Sequence, residues 1–247
     1  MKKLSVLFLS ALLAAACAIP AHAADVEALT GTPNIDGKLD EIYTQSGTIV
    51  TDGDSFYNWG DDKSKGTSTA TSYFLHDDKY LYICTVVHDE TIVETELPSN
   101  WKADGVEHWF ITSDGDKQHV SRDAFDKFFY GGATIVSEDD CKSKATIDGD
   151  TYTVEMAIPL SAIEVTNNEI SLSIQFNDLF TADGENGKAY GSQAADQILA
   201  LSDKAVEVKT EPVKTDDAAA ADTADMGLVL SAVAMGASAL VIFKKKH

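Results

Sequence analysis

The chain has 247 residues, and its 40 Asp and Glu outnumber 19 Lys and Arg to give a formal net charge of −21. That charge repels polyanions, which excludes nucleic acid and anionic lipid surfaces as partners. Neutral ligands and divalent cations remain open.

Met1 to Ala23 has the form of a secretion signal. Lys2 and Lys3 precede the apolar run Leu4 to Ala18, and Ala-His-Ala stands before Ala24. A lipid-modified Cys17 is the alternative, but Ala14 stands where such signals carry leucine. From Ala24 to about residue 205 the apolar period is two. The runs "TATSYFLHD", "KYLYICTVVHD", "DGVEHWFITSD", "DTYTVEMAIPL" and "EISLSIQFND" are rich in β-branched and aromatic residues and bounded by turn formers. With no long amphipathic helix between them, they predict an all-β domain over residues 24–205, an antiparallel β-sandwich of jelly-roll or immunoglobulin-like type.

Residues 206–225 lack aromatics and are rich in Ala, Asp, Thr and Lys, which predicts a disordered acidic tether. Met226 to Phe243 is uncharged and 18 residues long. As a helix it rises about 27 Å, enough to span a bilayer core. The tail at 244–247, "KKKH", then favours the cytoplasmic side, leaving the domain at the cell surface and near any cell wall. "ADTADMG" resembles the junction ahead of the tails of Gram-positive surface proteins, but Ala224 replaces the glycine of the cleavage signal, so the anchor is expected to stay attached.

The chain shows no G-x-S-x-G and no H-E-x-x-H, so an enzyme is not expected. Cys84 and Cys141 either pair or stay free after export. "DGD" occurs at 52–54, 114–116 and 148–150, serving either as hairpin turns or as calcium ligands. Asp89 is the strongest single calcium candidate, because it leaves a strand into a loop. Alternation puts Val106, His108 and Phe110 on one face and Glu107, Trp109 and Ile111 on the other. Trp101, in the loop "LPSNWKADG", is either a lid over the core or a stacking platform. His76, His88, His108 and His119 lack metal-ligand spacing.

"GTPNIDGKLDEIY" resembles the N-terminal strand and turn of carbohydrate-binding module family 9, and "DDKYLYICTVVHDETI", "NWKADGVEHWFI", "YTVEMAIPLSAI" and "SIQFND" continue the resemblance in order. The resemblance implies a non-catalytic, calcium-stabilised module that binds a poly- or oligosaccharide. Trp101 matches the first of the family's two sugar-sandwiching tryptophans, Glu107 its sugar-contacting glutamate and Gln175 its glutamine. Lys127 stands at an arginine position. The second tryptophan has no counterpart after "FND", where Tyr190 is the aromatic nearby. Two other functions fit such a sandwich: a structural or adhesive domain without the sugar site, and a haem-binding module, for which Met156 is the lone methionine between signal and anchor.

Overall fold

The computed structural model describes residues 25–53, 57–60, 68–95, 100–132 and 134–207; the expected signal, tether and membrane helix lie outside them. No described helix is long and apolar enough to cross a membrane.

Thirteen strands are described: β1 Val26–Thr30, β2 Thr48–Thr51, β3 Tyr57–Trp59, β4 Thr69–His76, β5 Tyr80–His88, β6 Gly105–Ile111, β7 Lys117–Asp123, β8 Phe128–Gly131, β9 Lys142–Asp148, β10 Thr151–Pro159, β11 Glu169–Leu179, β12 Gly187–Gly191 and β13 Gln197–Ala205. Only short 3₁₀ turns interrupt them among the described residues. The strands pair in the order β8-β7-β6-β11-β13-β1-β4-β5-β10-β9, with β2 beside β4 and β12 and β3 continuing outward from β11. Two layers result. Phe74, Ile83, Val154 and Met156 of one layer and Val106, Phe110, Leu172 and Phe176 of the other are fully buried in a common core.

The expectation of purely antiparallel pairing needs one correction. β1 runs parallel to both β13 and β4 and stitches the two layers into one continuous sheet. A strand with neighbours on both edges offers no open edge to another chain.

The "DGD" triplets act as turns: Gly53, Gly115 and Gly149 all have positive φ, the conformation tight turns require. Cys84 and Cys141 are both free and buried, which settles against a disulfide between them. Met156 is fully buried within the core, so it offers no open side to a haem iron.

β5 is buried almost throughout rather than on alternate residues. The cause is the stretch beginning at Pro33, which covers its outer face: Tyr43 is buried with Leu75, Tyr82, Cys84 and Ala157, and Ile35, Leu39 and Ile42 pack against them. Glu155 on β10 pins this cover. Its carboxylate accepts hydrogen bonds from the Asp36 and Gly37 amides (2.9 and 3.1 Å) and from the Tyr43 hydroxyl (3.0 Å).

Candidate functional site

The outer face of the β6–β11–β12 layer carries polar residues that are nevertheless buried: Glu107, Ser173, Gln175 and Asn177. Buried polar groups are the informative exceptions in a fold. Register explains why they meet. Gln175 pairs directly with Glu107 across β6 and β11, and Asn177 is two residues further along the same face.

A hydrogen-bonded chain links them. Asn177 Nδ2 donates to Glu107 Oε1 (2.8 Å) and Trp109 Nε1 donates to Glu107 Oε2 (3.2 Å). Gln175 Nε2 donates to Asn177 Oδ1 (2.7 Å), and Gln193 Nε2 donates to Gln175 Oε1 (2.6 Å). Burial raises the Glu107 carboxyl above its ordinary range, opposed by the two donors. The network therefore holds a row of donors and acceptors in fixed orientation.

Over one end of this row lies a cleft of about 320 Å³, lined by Tyr57, Trp59, Trp101, Gln175, Asn177, Ala189 and Gln193. Trp101 is 42% exposed and meets Trp59 edge to face, with centroids 5.5 Å apart and planes at 75°. Tyr57 stacks on Trp59 at 6.2 Å. Trp59 is seated by its indole N–H, which donates to the Gly184 carbonyl (3.2 Å), and by Gly187, where a Cβ would come within 2.2 Å of the indole ring. Trp59 had no assigned role in the sequence because its partner, Trp101, arrives from a distant loop; the Y-x-W spacing is the one local signal.

Of the sequence candidates, Trp101 and Gln175 line the cleft and Glu107 lies in the network beneath it. Tyr190 requires a correction. It is 1% exposed and stacks on Phe176 at 4.7 Å inside the core, because its place on β12 turns it to the face opposite Ala189. Lys127 requires another. Its ammonium donates to the Thr95 carbonyl (2.7 Å) and lies 3.8 Å from Glu94, so it braces the loop after β5 rather than lining the cleft.

Asp89 comes together with two residues that no local pattern singles out. Ligand oxygens of Asp89, Asp104 and Asp178 lie within 4.8 Å of one another, all three buried. Asp104 is tied to the backbone amides of Val93 and Leu179, and Ser68 donates to Asp178 (2.7 Å). Asp89 Oδ2 is buried with no hydrogen-bond partner among the described residues. Burial, followed by repulsion from Asp89, pushes Asp104 up to about 9 and Asp178 up to about 6. Three hard oxygen donors with one orphaned oxygen fit a divalent cation such as calcium. Asp104 ends the loop that carries Trp101, and Asp178 neighbours the cleft residue Asn177 on β11, so the cluster joins the segments that carry the cleft residues.

Residues 35–198 match the model of the family described as carbohydrate family 9 binding domain-like. The chain belongs to that family. The domain is thus a carbohydrate-binding module of family 9 type, a non-catalytic class. Its curated relatives include exoglucanase XynX of Acetivibrio thermocellus, 33% identical over 176 residues, and endo-1,4-beta-xylanase A of Thermoanaerobacterium saccharolyticum, 31% identical over 174 residues; each match covers 66% of this chain and 14% of the relative. A family 9 module from Caldicellulosiruptor kristjanssonii in complex with cellotriose shares the fold with a TM-score of 0.57 and 16% identity, over 76% of this chain and 99% of that one. The same organism's module in complex with glucose gives a TM-score of 0.56, also at 16% identity, over 74% and 98%.

Proposed function

We propose that the family 9 module binds the end of a gluco- or xylo-configured oligosaccharide in the cleft, one pyranose held against Trp101 and Trp59. The observation that carries this reading is the pair of tryptophans, Trp59 from β3 and Trp101 from the loop before β6, meeting over a polar floor. Aromatic faces attract the C–H face of a pyranose and leave its rim of hydroxyls to polar partners. Gln175, Asn177 and Gln193 supply both donors and acceptors on that rim, and Glu107 orients Asn177 from behind. The glucose and cellotriose complexes of the structural neighbours, and the glucan- and xylan-named relatives, support this choice of sugar. An exposed Trp101 beside an open cleft also disfavours a purely structural domain.

Calcium at Asp89, Asp104 and Asp178 completes the proposal. By joining the end of β5, the end of the Trp101 loop and β11, it would neutralise three buried carboxylates and hold the platform in place. We also propose, on the sequence pattern at both ends, that the module is exported and retained at a membrane; mass spectrometry of the native protein tests this, a peptide ending at His247 supporting retention and a chain ending at Thr223 opposing it.

The deciding experiment is calorimetric titration with glucose, xylose and their β-1,4-linked oligomers, with and without calcium. Binding that is weakened about tenfold in Trp101→Ala supports the reading. Absence of heat for every sugar overturns it.

A further inference from the structure

Two tyrosines in the core carry hydroxyls that the packing does not use. Tyr152 on β10 is fully buried and Tyr190 on β12 is 1% exposed, and neither hydroxyl has a hydrogen-bond partner among the described residues. A buried hydroxyl without a partner costs stability, and phenylalanine would fill nearly the same space without that cost. Such groups call for a specific explanation.

Register sets both tyrosines beside the acidic cluster, one from each layer. Tyr152 pairs with Val87 across β10 and β5, and Asp89 is two residues beyond Val87 on the same core-facing side. Tyr190 pairs with Phe176 across β12 and β11, and Asp178 is two residues beyond Phe176 on that side. Two residues of strand span about 7 Å, a step that a phenol can cover. The electrostatics agree. Burial first, then Asp104, Asp89 and Asp178 in that order, raise the Tyr152 hydroxyl well above its ordinary value. Burial, then Asp178 and Asp89, push Tyr190 up to about 12. The same carboxylates therefore act on both hydroxyls, which stay protonated and able to donate at neutral pH. Asp89 Oδ2 is the third unpartnered buried oxygen at this end of the core. The rings themselves are held: Tyr190 stacks on Phe176 with planes at 10°, and Tyr152 packs in the main core cluster.

We infer that Tyr152 and Tyr190 form the inner wall of the cation site, their hydroxyls donating to the carboxylate oxygens and water that surround the ion. This rests on Asp89, Asp104 and Asp178 holding calcium. The three aspartates approach from the ends of β5, the Trp101 loop and β11, and the tyrosines orient them from within the core. They are positioning residues, because a neutral donor behind a carboxylate fixes its direction without adding charge. Filling the site gives the orphaned oxygens their partners, so the hydroxyls serve the ion-bound state and not the packing of the rings.

Calorimetric titration of the full chain with calcium tests this, taking the heat that Asp89→Asn abolishes as the signal of the site. Tyr152→Phe and Tyr190→Phe should each weaken that binding about tenfold. In chelator both variants should melt at or above the temperature of the unmodified protein, because each has lost only an unpaired buried hydroxyl. Calcium should also give the unmodified protein a tyrosine ultraviolet difference spectrum that the double variant lacks. Calcium affinity unchanged in both variants overturns the inner wall and leaves the aspartate site standing. A melting point lowered in chelator assigns the hydroxyls to the fold and overturns it as well. No calcium binding by the unmodified protein overturns the wall and the aspartate site together, with the sugar cleft unaffected.

Discussion

Two buried glutamates divide the molecule. Glu155 and Glu107 both follow a valine in a strand, in "TVEM" and "GVEH", and both are 2% exposed or less. Glu155 is met by two backbone amides and a tyrosine from the opening stretch, groups that cannot leave without unfolding the cover. Glu107 is met by side chains, Asn177 and Trp109, on a face that opens toward a cleft. Side-chain donors can be shared with or exchanged for ligand hydroxyls, whereas backbone donors from a distant segment hold a fold together. The same residue type is clamped largely by backbone amides in one layer and held by side chains beneath a cleft in the other.

The sharpest separation comes from removing each carboxylate. Glu155→Ala leaves two buried amides and a hydroxyl unpaired and should cost about 3 kcal/mol of stability by denaturant unfolding. Glu107→Ala, beside an open cleft where water can replace the lost acceptor, should cost about 1 kcal/mol. Equal losses would erase the distinction.

Calcium should act on the cleft end alone. At a hundred times its dissociation constant, an ion that binds only the folded state adds about 2.7 kcal/mol. Differential scanning calorimetry should show the melting point rising with calcium and falling back with chelator, and Asp89→Asn should abolish that response. A response retained in Asp89→Asn would place the ion elsewhere.

The clasp has its own signature in pH. Burial pushes Glu155 up to about 7, against the pull of its three donors. A carboxyl whose folded-state value is raised gives stability that is fully present below the unfolded value, near 4.5, and lost as pH rises through 7. Between those limits the loss should be on the order of 2 kcal/mol. Glu155→Gln should flatten this slope, measured in chelator as the difference between the two proteins, while Glu107→Gln should leave it in place.

The smallest expected effect is on binding. Trp101→Ala or Glu107→Gln should weaken sugar binding about tenfold, near 1.4 kcal/mol, with the melting point nearly unchanged. Glu155→Gln should bind sugar normally. Weakened binding there would mean that clasp and cleft are coupled through the core.

Local pattern was enough for much of this. Period-two runs placed β4, β5, β6, β10 and β11, because alternation is a property of neighbouring residues. The same alternation set Glu107 and Trp109 on one face and His108 on the other, and Asp-Gly marked the turns. The order of motifs identified the family. Composition set the expectation that a chain of net charge −21 does not favour polyanionic partners.

Tertiary structure alone decided which of these residues meet. Trp59 reached Trp101 because β3 pairs with β12, which pairs with β11. Asp89 gained Asp104 and Asp178 only when the ends of β5, β6 and β11 converged. Tyr190 turned inward because its register on β12 fell on the core face, and a shift of one residue would have reversed it. Lys127 went to Thr95 because a long side chain takes the nearest carbonyl its loop provides. Sequence records a strand's period and chemistry, but register and loop closure join residues far apart in the chain, and it is those long-range pairings that set a buried glutamate in the network beneath a cleft.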